Sequence, residues 1–245
     1  MARFVLVHGA WHGGWCWEEI VPRLEAAGHR VAAPDLPGMG ADAASGHVAT
    51  LDEWAMFIAG MAAADPEPAI LVGHSRGGIV ISRAAELAPP GSIARLVYLS
   101  ALMVEPGKTM GETFFVPGET LSAERMAAVE VSGDGRTSRY VSRDVAIGFF
   151  LNTSPADRAE AAFARLSPEP TSMIAAPVVT TPGRYGQVPR SYIRCEQDRA
   201  VRPEVQARMV AAQPCEVHSL DCDHSPFYSA PDELAGLLDR IASAA

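Results

Sequence analysis

The sequence predicts an α/β fold: a doubly wound, mostly parallel sheet of about six strands with an inserted, largely helical lid. Three observations carry this. Short aliphatic runs alternate with helical patterns through the first hundred residues, the alternation resumes near residue 191, and the stretch between breaks the rhythm. Alternating β and α units of this length build a parallel sheet with helices on both faces.

Phe4–His8 (FVLVH), Arg30–Pro34 (RVAAP), Ala69–Gly73 (AILVG) and Arg95–Ser100 (RLVYLS) read as strands. They are apolar throughout rather than alternating, as a sheet covered on both faces requires. Trp15–Ala27, Leu51–Ala63 and Ser75–Ala88 read as the intervening helices. The second opens on a capping box, Thr50-Leu51-Asp52-Glu53, and Pro22 either kinks the first or marks a late start. Ser191–Cys195 and Glu216–Leu220 supply two further strands, and Pro203–Ala212 and Pro231–Ala244 two helices with proline early in each.

Residues 1–103 and 191–245 thus form the core, and 104–190 is the insertion, rich in Pro, Gly, Ser and charge, with helical pieces at Ser122–Val129 and Pro155–Leu166. So long a segment is no plain loop. Its expected place is over the carboxyl ends of the strands, where open α/β sheets bind ligands. Met110, Phe114, Phe115, Phe149 and Phe150 are expected to line an acyl or alcohol pocket there.

Composition narrows the partners. The net charge is −9 with no basic run, and such a surface repels phosphate backbones and anionic lipids, so neither nucleic acid nor membrane is expected. No run reaches the ~18 apolar residues of a membrane span. The start, MARFVLVHGAW, enters a strand directly and has no leader-like pattern. Cys16, Cys195, Cys215 and Cys222 lack disulfide-framework or zinc spacing, which suits reduced thiols in a cytoplasmic protein without metal or other cofactor. A homodimer is a candidate assembly.

The chemistry centres on Gly73-His74-Ser75-Arg76-Gly77, a G-x-S-x-G turn between an apolar strand and a helix. Such a turn lifts Ser75 to the rim of the sheet, and the flanking glycines remove Cβ atoms that would strike the neighbouring strand and helix. A serine hydroxyl needs a base to become a nucleophile. Of the seven histidines, His224 alone lies in a polar loop, DCDHSP, between the last strand and the last helix. His8 ends the first strand, His74 adjoins the serine, His29 and His47 flank turns, and His218 lies inside a strand. Asp198, after the strand Ser191–Cys195, is the orienting acid, giving the order Ser75, Asp198, His224. Asp221, Asp223 and Glu105 are its rivals.

The backbone amides of Ala10 and Arg76 are the expected oxyanion donors, Ala10 from the glycine-rich loop His8-Gly9-Ala10-Trp11-His12-Gly13-Gly14. Trp11, Trp15 and Trp17 are expected to pack the first helix onto the sheet, with Trp11 and His12 also candidates to touch substrate. Phe149 and Phe150 complete the pocket set.

FVLVHGAWHGGWCW, LEAAGHRVAAPDLPGMG, ILVGHSRGG, YIRCEQDRAVRPEVQ and DCDHSPFYSAPDELAGLL together resemble the α/β-hydrolase superfamily, in the branch of plant methylesterases, hydroxynitrile lyases and bacterial pyrethroid-hydrolase-type carboxylesterases. The resemblance runs nearly end to end. It implies a cofactor-free esterase with Ser75 as nucleophile, His224 as base, Asp198 as orienter, and the Ala10 and Arg76 amides as oxyanion hole. The lyases of that branch carry threonine at Gly9 and lysine at Ser225, which disfavours cyanohydrin cleavage here. Serine at position 75 argues against the dehalogenase and epoxide-opening chemistries of the superfamily, which use aspartate. A receptor-like homologue that keeps the triad and only binds its ligand stays open. Arg76 departs from the small or aliphatic residue usual after the nucleophile; it either binds a substrate carboxylate or pairs with an acidic side chain.

Overall fold

The computed structural model describes residues 1–114 and 123–244. Six strands form one sheet: β1 (Arg3–Val7), β2 (Arg30–Ala32), β3 (Ala69–His74), β4 (Ile93–Leu99) and, after the insertion, β8 (Arg190–Cys195) and β9 (Glu216–Leu220). Their order is β2-β1-β3-β4-β8-β9, and every neighbouring pair is parallel. The chain winds outward in opposite directions from β1 and β3, so the crevice between their carboxyl ends is the switch point where ligands bind in such sheets.

The uninterrupted apolar runs have a direct cause. Val5, Val7, Leu71, Leu96 and Tyr98 point into one core cluster, beneath the helices Leu51–Ala63, Gly77–Leu87 and Pro203–Ala212. Their neighbours Phe4, Leu6, Ile70, Val72, Val97 and Leu99 point into a second, with Trp17, Leu24, Phe227, Leu234 and Leu238. Both faces of the strand are therefore dry.

Local signals decide the helix ends. The Trp15–Ala27 pattern divides into a 3-10 turn, Gly14–Trp17, and a helix, Val21–Ala26, so Pro22 marks a late start. Thr50 caps its helix by accepting from the Glu53 amide at 3.2 Å. The reciprocal half of the expected capping box is not made, because the Glu53 carboxylate instead meets His47 Nε2 at 2.6 Å. The helix expected from Ser75 begins at Gly77, since Ser75 itself is left-handed, with φ +53°.

The insertion carries helices at Met110–Phe114, Ala123–Ala127, Arg143–Phe150 and Ala156–Arg165. Phe115 and Ser122 lie outside the described residues. The insertion also holds a small antiparallel sheet absent from the sequence reading: β5 (Val129–Val131), β6 (Thr137–Tyr140) and β7 (Glu169–Pro170). Strands of two to four residues give no periodic signal, and Pro170 counts against a strand, being tolerated here at a sheet edge. Among the described residues no helix is long and apolar enough to cross a membrane, and no group of three or more His, Cys, Asp or Glu is placed to hold a metal.

Candidate active site

The site starts from the backbone at the end of β3. Ser75 holds a left-handed conformation that a side chain rarely adopts, at roughly 1–3 kcal/mol of strain. The surroundings enforce it: the Ser75 amide donates to Leu99 O at 3.2 Å, and its carbonyl accepts from Leu102 N at 2.9 Å and Gly78 N at 3.1 Å. The glycines are obligatory on steric grounds. A Cβ at Gly73 would stand 2.7 Å from Gly77 O, and one at Gly77 would stand 2.7 Å from Val7 O.

The imidazole and its acid hang from the two strands at the far side of the sheet. Asp198, in the turn after β8, and His224, in the loop after β9, are both buried, and His224 Nδ1 meets Asp198 Oδ2 at 2.7 Å. The other carboxylate oxygen, Oδ1, accepts from the amides of Ala200 at 2.7 Å and Val201 at 2.9 Å. Burial pushes the Asp198 carboxyl up, while the His224 ring and these amides pull it back down. A carboxylate oxygen can only accept, so His224 Nδ1 carries the proton of this contact. His74 Nε2 sits 2.8 Å from the His224 carbonyl, tying the strand before the serine to the histidine loop.

The rival acids are otherwise engaged. Asp223 accepts from Thr153 N, Ser154 Oγ, Ser225 N and Ser229 Oγ at 2.7–3.0 Å, and so fastens the His224 loop to the insertion. Asp221 meets Gln197 Nε2 at 2.8 Å, and Glu105 pairs with Lys108.

The loop after β1 closes the opposite side. A Cβ on Gly9 would come within 2.9 Å of both Ser75 Cβ and His74 Nδ1, so this loop lies directly on the elbow. His8 Nε2 accepts from Leu36 N at 3.1 Å, which leaves the proton on Nδ1 to donate to Gly9 O at 2.9 Å. His12 is buried and stacks on Trp15, and its Nδ1 donates to Ala10 O at 2.7 Å. Burial lowers the His12 pKa to about 4, and it holds His8 and His74 well below the ordinary histidine value as well.

One placement corrects the sequence reading and another decides between roles it left open. Trp17 packs in the core as expected, but Trp11 reaches the insertion instead of fastening helix to sheet. Trp11 is left-handed at φ +58°, its indole Nε1 donates to Ser138 O at 3.2 Å, and its carbonyl accepts from Ser167 N at 2.8 Å. The side chain of Arg76 is not offered to a substrate. It is 1% exposed, lies 4.2 Å from the Trp54 ring centroid, donates through Nη2 to Gly9 O at 2.8 Å, and pairs through Nε with Glu169 Oε1 at 2.8 Å. Of the two roles left open, pairing with an acid is the one found. The acid, Glu169 of β7, is buried, and its second oxygen accepts from the Trp11 amide at 3.1 Å. Burial pushes this carboxyl up, opposed by Arg76 and by the Trp11 amide. Removing one partner of such a pair leaves an uncompensated buried charge, at about 3–5 kcal/mol.

Glu169 had no sequence signature, sitting in SPEPTS with nothing to mark it as buried. The available signal was Arg76: a cation inside a glycine turn against the sheet requires a carboxylate from elsewhere.

Aromatic rings cover the histidine. The Phe150 ring centroid is 5.7 Å from that of His224, 6.0 Å from Trp11 and 5.1 Å from Tyr140. Phe149 is partly buried against the same core cluster. Met110 and Phe114 pack on the cluster beneath the other face of the sheet.

A strained strand–serine–helix turn and a buried His–Asp pair on the same edge of a doubly wound sheet define the class of α/β enzymes built around a nucleophile elbow. The model of the alpha/beta hydrolase family matches residues 4–237, and the chain belongs to that family. It is 33% identical to methylesterase 7 of Arabidopsis thaliana over 98% of this chain and 96% of that protein. The pyrethroid hydrolase of Sphingobium wenxiniae is also 33% identical, over 98% of this chain and 87% of that protein. The crystal structure of a pyrethroid hydrolase from Sphingobium faniae superposes with a TM-score of 0.87 at 31% identity, covering 99% of this chain and 98% of the other. With such relatives along its whole length, the chain is a carboxylesterase-type hydrolase.

Proposed function

We propose that the chain cleaves carboxylic esters by a cofactor-free acyl-enzyme route, with Ser75, His224 and Asp198 as its triad. The observation that carries the reading is the buried 2.7 Å contact between His224 Nδ1 and Asp198 Oδ2, on the edge where the elbow presents Ser75. His224 Nε2 takes the Ser75 proton as Oγ attacks the ester carbonyl. Asp198 holds the ring in the tautomer this needs and stabilises the imidazolium that forms. The Ala10 and Arg76 amides receive the oxyanion, the alcohol leaves with the proton from His224, and water repeats the sequence to free the acid. The names of the relatives support esters of carboxylic acids as the substrate class. The ring of Phe150 beside His224, with Trp11 and Tyr140 packed against it, suits an apolar acyl or alcohol group.

Cyanohydrin cleavage on the same scaffold needs a hydroxyl at the substrate oxygen and a cation at the departing nitrile. Gly9, where the lyases carry threonine, has no hydroxyl, Ser225, where they carry lysine, has no charge, and Arg76 is engaged with Glu169, Gly9 and Trp54. Purified protein is expected to hydrolyse aryl, alkyl or methyl esters far above background, and Ser75→Ala to abolish this with the fold intact. Mandelonitrile should release no cyanide above the buffer rate. A Ser75→Ala rate within tenfold of the parent would remove Ser75 as nucleophile, and cyanide release lost in Ser75→Ala would replace the esterase by a lyase.

A further inference from the structure

Nothing in the triad chemistry requires the residue after the nucleophile to carry a side chain. Here that residue is an arginine, fully buried, and its guanidinium turns back onto the loop that faces the serine. Nη2 donates to Gly9 O at 2.8 Å, beside the bond that Gly9 O already accepts from His8 Nδ1 at 2.9 Å. Gly9 O and the Ala10 N–H belong to one peptide unit. In a trans peptide the two point in opposite directions, so fixing the carbonyl fixes the amide. Two donors on Gly9 O therefore settle where the Ala10 N–H aims.

The guanidinium is itself held from the insertion. Glu169 Oε1 lies 2.8 Å from Arg76 Nε, and Glu169 Oε2 accepts from the amide of Trp11 at 3.1 Å. One carboxylate thus grips both the clamp and the residue after Ala10, while Ser167 N holds the Trp11 carbonyl at 2.8 Å. Trp11 is left-handed, so the loop does not fall into this shape unaided.

We propose that Arg76 and Glu169 are positioning residues for the oxyanion hole: the Arg76 side chain aims the Ala10 amide, and Glu169 makes that aim depend on the docked insertion. The inference rests on the serine-esterase reading above. It assigns two buried charges a catalytic purpose without contact to substrate, since oxyanion donors act only when fixed in advance where negative charge develops.

The test uses Arg76→Met, Glu169→Gln and the double variant, with Ser75→Ala as control, on an aryl ester and on a trifluoromethyl ketone, whose serine adduct places an oxyanion in the hole. Each single variant should lower kcat by roughly 10- to 100-fold, somewhat less than deletion of an oxyanion donor does, with KM within about threefold. Affinity for the ketone should fall by a similar factor. The double variant should be no worse than the poorer single one, because both act through one peptide. Circular dichroism and thermal melting establish that the variants fold; if an unpaired charge prevents this in the singles, the neutral double variant carries the same test. Folded variants with kcat and ketone affinity within twofold of the parent would overturn the proposal, as would a rise in KM alone. Loss of activity in Ser75→Ala beside unaffected pair variants discards the positioning role and keeps the esterase; retained activity in Ser75→Ala discards both.

Discussion

Asp198 and Glu169 are both buried carboxylates, one held by His224 and the other by Arg76 next to Ser75, yet they come to the site by different routes. Asp198 and His224 are 26 positions apart and hang from adjacent parallel strands, so the register of β8 against β9 brings them together. Glu169 meets Trp11 across 158 positions, from a two-residue strand inside the insertion. On the proposed mechanism, the base side is a product of sheet topology and the oxyanion side a product of how the insertion docks. The contrast teaches that, if the proposed mechanism holds, regular elements can position the base while an inserted segment positions the oxyanion donors.

The largest effect is expected on the base side. Asp198→Asn should lower kcat by roughly 10³- to 10⁴-fold, because an amide donor facing His224 favours the wrong tautomer. Steady-state kinetics on an activated ester check this. Should Asp198→Asn stay active while Asp223→Asn fails, the acid lies in the His224 loop and the strand-register account is wrong.

The buried histidines around the elbow carry a pH signature. Burial holds the pKa values of His8, His12 and His74 below the ordinary histidine value, with His12 lowered to about 4. An unfolded chain protonates these rings below about pH 6.5, whereas the folded chain resists doing so. The unfolded state therefore binds more protons in this window, and folding stability falls as pH drops from about 6.5 toward about 4. The slope is roughly 1.4 kcal/mol per pH unit for each ring in its window. Denaturant unfolding between pH 7.5 and 5 measures it; stability that is flat or rising on acidification would mean the rings are charged or exposed.

Asp223→Asn should give the smallest effect. Its oxygens serve four donors that tie the insertion to the histidine loop, so stability should fall by roughly 1–2 kcal/mol while kcat stays within about threefold. A change in kcat as large as that of Asp198→Asn would erase the distinction between orienting the base and anchoring its loop.

The same contrast explains what the sequence revealed. The six strands, the elbow and the meeting of Asp198 with His224 were legible because both-face burial writes continuous apolar runs, a strained turn demands glycine, and both residues follow adjacent strands. The insertion's small sheet and Glu169 were not, because short strands have no period and a buried carboxylate in SPEPTS looks like any surface acid. Trp11 was misplaced for the same reason: its partners Ser138, Ser167 and Glu169 all lie in the segment without pattern. Arg76 was recognised as anomalous, but its partner was visible only in three dimensions.

On the proposed mechanism, Ser75 carries the acyl group. Rapid mixing with p-nitrophenyl acetate, acid quenching and mass analysis of the digested protein test it directly. The expected result is a burst of nitrophenol, one acetyl group on the peptide containing Ser75, and neither in Ser75→Ala. Steady hydrolysis without an adduct, continuing undiminished in Ser75→Ala, would contradict it.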